Sequence, residues 1–340
     1  MRKPLRTLFY GVTHEHAAGK LATLRRLADD FEIVAVVDDR SRSSPYFVNE
    51  AVGMEGLDLI PEDELKSFSG FDVAFVETVN GRLMEVATRL VDNGIPLHCD
   101  KPCGEAMEPY RSLVEKCRVR NLPFQIGYMY RGNPAIRFIQ DAVRKGALGK
   151  VSFVEADMNH DYGKRGYAEF VSSFRGGILY NLGCHLIDAV LPMIDGDFID
   201  ASPLLCPAPH DPPGSKTKGL SVLRFEGTEI LIRCSSNMPG GVPCRRLRID
   251  GSNGTIDLCP IERFDGEELK LVMTLRERVG DFPAGCHEYG FGAQSDRYAP
   301  QLLELASIVR GERANDQDYD RDLRTHELTL NLKSVVELDK

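Results

Sequence analysis

The chain has 340 residues, with 42 basic against 51 acidic, for a formal net charge of −9. That length suggests about two domains and a core that needs neither disulfide nor metal. The acidic balance argues against a general nucleic-acid binder, and no run approaches the ~18 apolar residues of a membrane span.

Met1–Thr7 leads straight into a strand-like run, with no signal-peptide core. Nine cysteines without a Cys-x-x-Cys pair read as reduced thiols of a cytoplasmic protein. Apolar runs predict strands at Leu5–Val12, Glu32–Val37, Phe71–Val76, Pro96–Cys99 and Pro123–Tyr128. Helical periodicity falls between them at His16–Asp30, Pro61–Phe68, Arg82–Asn93 and Met107–Asn121. Such alternation means α/β architecture, a doubly wound parallel sheet with helices on both faces. After about residue 150 the pattern changes. Val151–Asp157 reads as a strand, and Gly177–Ile194 contains one helix. Strands then follow at Leu220–Phe225, Glu229–Ser235, Arg246–Asp250, Thr255–Leu258 and Lys270–Leu275. They describe a largely antiparallel sheet with a helix on one face. Ala201–Lys218, rich in Pro, Ser and Gly, reads as a surface connection. Tyr298–Arg310 and Asp322–Glu337 read as closing helices, joined by a solvated loop with Asp316, Asp318 and Asp320. The domains are expected at 1–130 and 131–340, with the last helices packing back toward the first.

The first strand-to-helix turn runs from Gly11 through Val12, Thr13, His14 and Glu15 to His16. In a dinucleotide-binding unit this turn offers backbone N–H groups to a pyrophosphate. Only Gly11 keeps its glycine; Thr13 and His16 occupy the other two positions. Asp38 ends the second strand 22 residues after His16, where an acid would bond the adenosine ribose. It favours NAD, while Arg40 and Arg42 nearby leave NADP as the alternative. His14-x-His16 also fits the opening of a metal-dependent hydrolase barrel, since two imidazoles two apart on an extended chain face one way. His160 and His185 could extend such a site, but the later chain is not a succession of strand–helix units, and no metal is expected.

Asp100-Lys101-Pro102 follows a strand directly, where a lysine could stabilise charge on a substrate oxygen. Between Gly176 and Asp188, Asn181 and His185 stand four apart and share a helix face.

Asp100-Lys101-Pro102, the run Gly176–Asp188, Tyr130-Arg131-x-Asn133-Pro134 and Gly146-x-Leu148-Gly149 together resemble the Gfo/Idh/MocA family over nearly the whole chain. The resemblance implies an N-terminal Rossmann domain and a C-terminal α/β domain with an open-faced sheet. It implies hydride transfer between NAD(P) and a carbinol or keto carbon of a sugar, cyclitol or related compound. Lys101 would polarise the reacting oxygen, and His185 would be the general acid/base. Asn181 stands where the family has a substrate-contacting Asp; Arg131, His160 and Tyr162 are further substrate candidates. Gly11, Val12, Thr13, His14, His16, Asp38, Thr78, Asn80 and Lys101 would meet the cofactor. Glu77 replaces a usual Ala and would lie near the cofactor phosphates. The resemblance also implies a homodimer or homotetramer. A non-catalytic dinucleotide sensor and a transient-redox lyase or epimerase are the alternatives.

Overall fold

The computed structural model describes residues 3–41, 54, 56–57, 59–162 and 165–333. Arg42 lies outside them. The chain divides into two compact units, Met1–Met129 with Tyr298–His326, and Tyr130–Arg297 with Glu327–Lys340.

The first unit begins with β1 (Leu5–Tyr10), α1 (Ala17–Arg26), β2 (Phe31–Asp38), β3 (Leu59–Pro61) and β4 (Val73–Val76). It continues with α2 (Leu83–Asp92), β5 (Leu97–Cys99), α3 (Met107–Arg120) and β6 (Phe124–Ile126). The strands form one parallel sheet in the order β3-β2-β1-β4-β5-β6. All four residues of β4 are buried, as expected of a strand covered on both faces. α2 buries Leu83, Val86, Ala87, Leu90 and Val91, one stripe at helical spacing, and the chain turns at Gly94 with φ +74°. The strand order reverses between β1 and β4, and ligand crevices of doubly wound sheets open at such a reversal.

The second unit opens with α4 (Pro134–Arg144), capped by Asn133, whose side chain accepts the N–H groups of Ala135 and Ile136. Next come β7 (Val151–Asn159), α5 (Arg165–Ser173), a π-helical turn at Leu179–Gly183 and α6 (Cys184–Val190). Then follow β8 (Phe198–Cys206), β9 (Lys218–Phe225), β10 (Thr228–Ser235), β11 (Arg246–Gly251) and β12 (Gly254–Leu258). β13 (Glu268–Leu275) and β14 (Gly285–Ala293) complete a sheet ordered β14-β13-β12-β11-β7-β10-β9-β8. Its pairs are antiparallel except β7 with β10. Strict alternation of exposed and buried residues along β13 shows one covered and one open face. On the open face arginines pair with carboxylates across neighbouring strands, Arg233 with Asp157 and Arg246 with Asp257.

α7 (Ala299–Val309) returns to the first unit, where Leu302, Leu305 and Ala306 share a core with Leu21, Leu24, Phe31 and Phe75. Each such large side chain, fully buried, contributes about 1.5–3 kcal/mol. α8 (Tyr319–Leu330) closes the described chain.

Several expectations change. Pro61–Phe68 is not a helix: Pro61 ends β3 and a single 3-10 turn follows at Glu62–Glu64. Ala201–Cys206 is part of β8 rather than a loop, and β14 was not anticipated. Both are edge strands, where Pro203 and several glycines are tolerated because one side carries no ladder. The single helix expected within Gly177–Ile194 is broken by the π turn. The last helix starts at Tyr319, three residues early. Ion pairs hold the acidic run: Asp316 with Arg313 in the loop, and Asp320, in the first turn of α8, with Arg118 of α3.

Candidate active site

β1 delivers the chain to Gly11, whose φ of +93° suits glycine. A Cβ there would lie 2.6 Å from the Thr78 nitrogen, so the turn can pass β4 this closely only without a side chain. The lost glycines are replaced by a hydrogen-bond network around Asp39. This buried carboxylate accepts the Val12 N–H at 2.9 Å and the hydroxyls of Thr13 and Thr78 at 2.5 Å each. The Thr13 hydroxyl oxygen accepts the Val79 N–H at 3.1 Å. The His14 N–H goes to the Glu77 carbonyl, and the His16 N–H to His14 Nδ1. Several of the turn's donors thus have partners within the first unit. Asp38 accepts from Arg40 through the backbone N–H, Nε and Nη2, at 3.0, 2.9 and 2.6 Å. Arg40 holds its carboxyl below the usual range against modest desolvation.

Lys101 follows β5 and is fully buried. Its backbone is held from both sides. The N–H donates to Asp100 Oδ1 at 2.6 Å, and the carbonyl accepts from Asn80 Nδ2 at 3.1 Å. His14 Nε2 lies 3.1 Å from the same carbonyl. Because His14 Nδ1 already accepts an N–H, the ring carries its proton on Nε2 and donates it there. Burial lowers the His14 pKa to about 4, so the imidazole is neutral. The Lys101 ammonium meets Glu15 at 3.0 Å.

Beneath the turn lies a charged cluster. Lys20 Nζ sits 2.5 Å from Asp100 and 2.9 Å from Glu77, with all three side chains buried. His16 Nδ1 is 3.1 Å from Asp100, and His14 Nδ1 is 3.5 Å from Asp100 and 3.6 Å from Glu77. Burial and the neighbouring Asp100 push the Glu77 carboxyl well up. Burial opposes charge on Asp100 as well, but His14, Lys20 and His16 hold it well below the usual range. Glu77 is therefore a buried partner of Lys20. His14, His16 and Asp100 offer atoms within 4.8 Å of one another, as a metal set would. The cation on that carboxylate, however, is the Lys20 ammonium. His160 and His185, the other candidates of the metal reading, belong to the second unit.

In the second unit Gly176 and Gly177 lead into the π turn. A Cβ at Gly177, with φ +51°, would lie 2.4 Å from Lys216 Cβ. The π turn opens the regular ladder, and the Asn181 carbonyl receives the Cys184 thiol at 3.4 Å. Asn181 Nδ2 donates to the Tyr167 hydroxyl at 3.2 Å. His185 is buried on α6 with its ring 5.9 Å from that of Tyr130. Arg131 is engaged by Asp188 through Nε and Nη2, the shortest contact being 2.5 Å. His160 stacks on Tyr162 at 4.0 Å and 14°, and Tyr167 meets Tyr162 edge-on at 4.7 Å. Arg245, fully buried, donates to His160 Nδ1 at 3.0 Å and to the Asn159 carbonyl at 3.1 Å. It also forms an ion pair with Glu262. A guanidinium only donates, so His160 Nδ1 is the acceptor.

The structure thus brings together Gly11, Thr13, His14, His16, Thr78, Asn80 and Lys101 in one unit, and Asn181, His160 and Tyr162 in the other. Glu15, Lys20, Asp39, Tyr167, Arg245 and Glu262 were missed. Only Lys20 left a trace in the sequence, standing one helical turn after His16.

Residues 136–257 match the family model described as GFO/IDH/MocA C-terminal domain. The rhizopine catabolism protein MocA of Rhizobium meliloti is 27% identical over 120 residues, 34% of this chain and 36% of that protein. The chain thus matches about a third of that relative's length. The D-apiose dehydrogenase of Paraburkholderia graminis is 22% identical over 265 residues, 76% of this chain and 67% of that protein. The solved structure of an oxidoreductase from Agrobacterium radiobacter, in complex with NAD+, L-tartaric acid and magnesium, superposes with a TM-score of 0.75. That match has 16% identity and covers 96% of this chain and 94% of the other. With the lysine turn, the Gly176–Asp188 run and both sheets in place, the chain is similar to the Gfo/Idh/MocA oxidoreductases, whose C-terminal domain model its residues 136–257 match.

Proposed function

We propose that the chain is an NAD(P)-dependent oxidoreductase acting on a carbinol or keto carbon of a sugar, cyclitol or related compound. The observation that carries this reading is Lys101, buried at the C-terminal end of β5 with its peptide clamped by Asp100, Asn80 and His14. A cation fixed this firmly at the crevice end of a doubly wound sheet suits stabilisation of a developing alkoxide. The family relative named D-apiose dehydrogenase and the NAD+ held by the Agrobacterium protein support the substrate and cofactor classes.

The residues present fit a dinucleotide. Gly11 lets the turn lie close against Thr78 at the reversal of strand order. Gly11 to His16, Asp38, Thr78, Asn80 and Lys101 would hold the cofactor, and the nicotinamide ring would supply the hydride acceptor or donor. Asp38 and Arg40, already paired, would set the choice between NAD and NADP. Lys101 would orient and polarise the substrate oxygen, and His185 would exchange its proton. Asn181 has no titratable proton and would contribute hydrogen bonding alone. Arg131, held by Asp188, would shape the site, with His160 and Tyr162 contacting substrate. A cytoplasmic homodimer or homotetramer completes the reading.

The sensor alternative needs neither a clamped lysine nor a buried histidine at position 185. The hydrolase alternative would place a metal beside the Lys20 ammonium, which repels it. The test is to look for reduced-nicotinamide absorbance and emission in the purified protein, then to screen sugars and cyclitols for hydride transfer. Lys101→Ala and His185→Ala should each lower turnover about 10²-fold. Unchanged turnover in both variants would remove the assignment.

A further inference from the structure

We infer that Glu15 is a positioning residue for Lys101, holding its ammonium in the orientation that meets the reacting oxygen. The inference rests on the redox reading of Lys101. Glu15 lies on the turn between β1 and α1, its side chain 9% exposed, and contacts Lys101 Nζ at 3.0 Å.

Two observations make this pairing more than packing. First, the Lys101 peptide is already fixed by Asp100, His14 and Asn80, so an ion pair is not needed to place the backbone. What Glu15 fixes is the flexible stem and its charged end. Second, the other carboxylates of the cluster have different cations. Asp100 and Glu77 converge on Lys20, and His16 also faces Asp100. Asp39 is committed to Val12, Thr13 and Thr78. Beside the pair, His16 Nε2 lies 3.8 Å from the same Glu15 carboxylate.

A buried charge-assisted hydrogen bond both orients an ammonium and keeps it protonated. Glu15→Gln keeps the shape and removes the charge; Glu15→Asp keeps the charge. Brief acylation with acetic anhydride at pH 8, read by peptide mass spectrometry, needs neither cofactor nor substrate. Lys101 should label about tenfold faster in Glu15→Gln than in the wild type, and near the wild-type rate in Glu15→Asp. Lys20, buried in the same unit but paired elsewhere, should label equally in all three proteins. With a turned-over sugar, Glu15→Gln should lower kcat about tenfold with KM changed less than about twofold, and Glu15→Asp should recover most of it. Equal labelling of Lys101 in wild type and Glu15→Gln overturns the inference. So does a parallel rise at Lys20, which marks general loosening. If the wild type binds no nicotinamide and oxidises no sugar, the redox reading fails, while the labelling still decides whether Glu15 governs Lys101.

Discussion

Replacing Lys20 by Met isolates the energetics of the charged cluster. The ammonium sits 2.5 Å from Asp100 and 2.9 Å from Glu77, and all three side chains are at most 1% exposed. Removing one partner of a buried ion pair costs about 3–5 kcal/mol, because the remaining charge is left in a poorly solvating interior. Two local responses limit the loss. Glu77, whose carboxyl is already pushed up by burial and Asp100, takes a proton readily. His14, with Nδ1 at 3.5 Å from Asp100, gains basicity once the cation is gone. Met fills most of the stem's volume, so little cavity term is added. A loss near the lower end, about 3 kcal/mol, corresponds to roughly 6–12 °C in the melting temperature of a unit this size. Calorimetry measures it, and the His14 ring protons followed by NMR should titrate above the wild-type value of about 4. The double variant Lys20→Met/Asp100→Asn should recover more than about 1 kcal/mol over additivity. A melting temperature within about 2 °C of wild type, with additive single variants, would show that the cluster is solvated and that this reasoning fails.

Arg245→Met leaves Glu262 buried with Arg297 at 3.5 Å, so urea unfolding should show a loss of about 3 kcal/mol, largely restored by Arg245→Met/Glu262→Leu. His14 has a folded pKa of about 4 against 6.5, so the unfolded chain binds the extra proton. Stability from this group is complete above pH 6.5 and is lost as pH falls toward 4. Between pH 7 and 5 the wild type should lose about 2 kcal/mol more than His14→Gln in denaturant titrations. For Asp38, bidentate to Arg40, the wild type should bind NADH more tightly than NADPH by reduced-nicotinamide emission, and Asp38→Ala should narrow or reverse the preference. An NADPH preference in the wild type would show that the arginine governs the pocket.

Much of the fold is legible because parallel strands and their crossover helices each write a local pattern. The uniformly apolar β4 and the i, i+3, i+4 stripe of α2 need no distant information. The edge strands β8 and β14 were lost for the converse reason: with one unpaired side they accept Pro203, Gly285 and Gly290 and blur the alternation. Lys101 and His185 are readable as local motifs. The network around them is not, because its partners come from distant strands. Asp39 reaches Thr78 across 39 positions, and Arg245 reaches His160 across 85. No short spacing encodes such contacts. Glu77 likewise finds its partner, Lys20, 57 positions away.

The Asp39 network has a consequence for ligand exchange. The Val12 N–H, in the position where a dinucleotide turn presents a donor to phosphate, already carries a carboxylate. On the cofactor placement proposed above, an anion arriving there would compete with a tethered one, and the observed affinity would be the intrinsic affinity multiplied by the fraction of molecules in which Asp39 has swung away. Each 1.4 kcal/mol by which the closed arrangement is favoured weakens binding about tenfold. The same competition would shorten the residence of product cofactor, trading tightness for turnover at a turn that has kept one glycine of three.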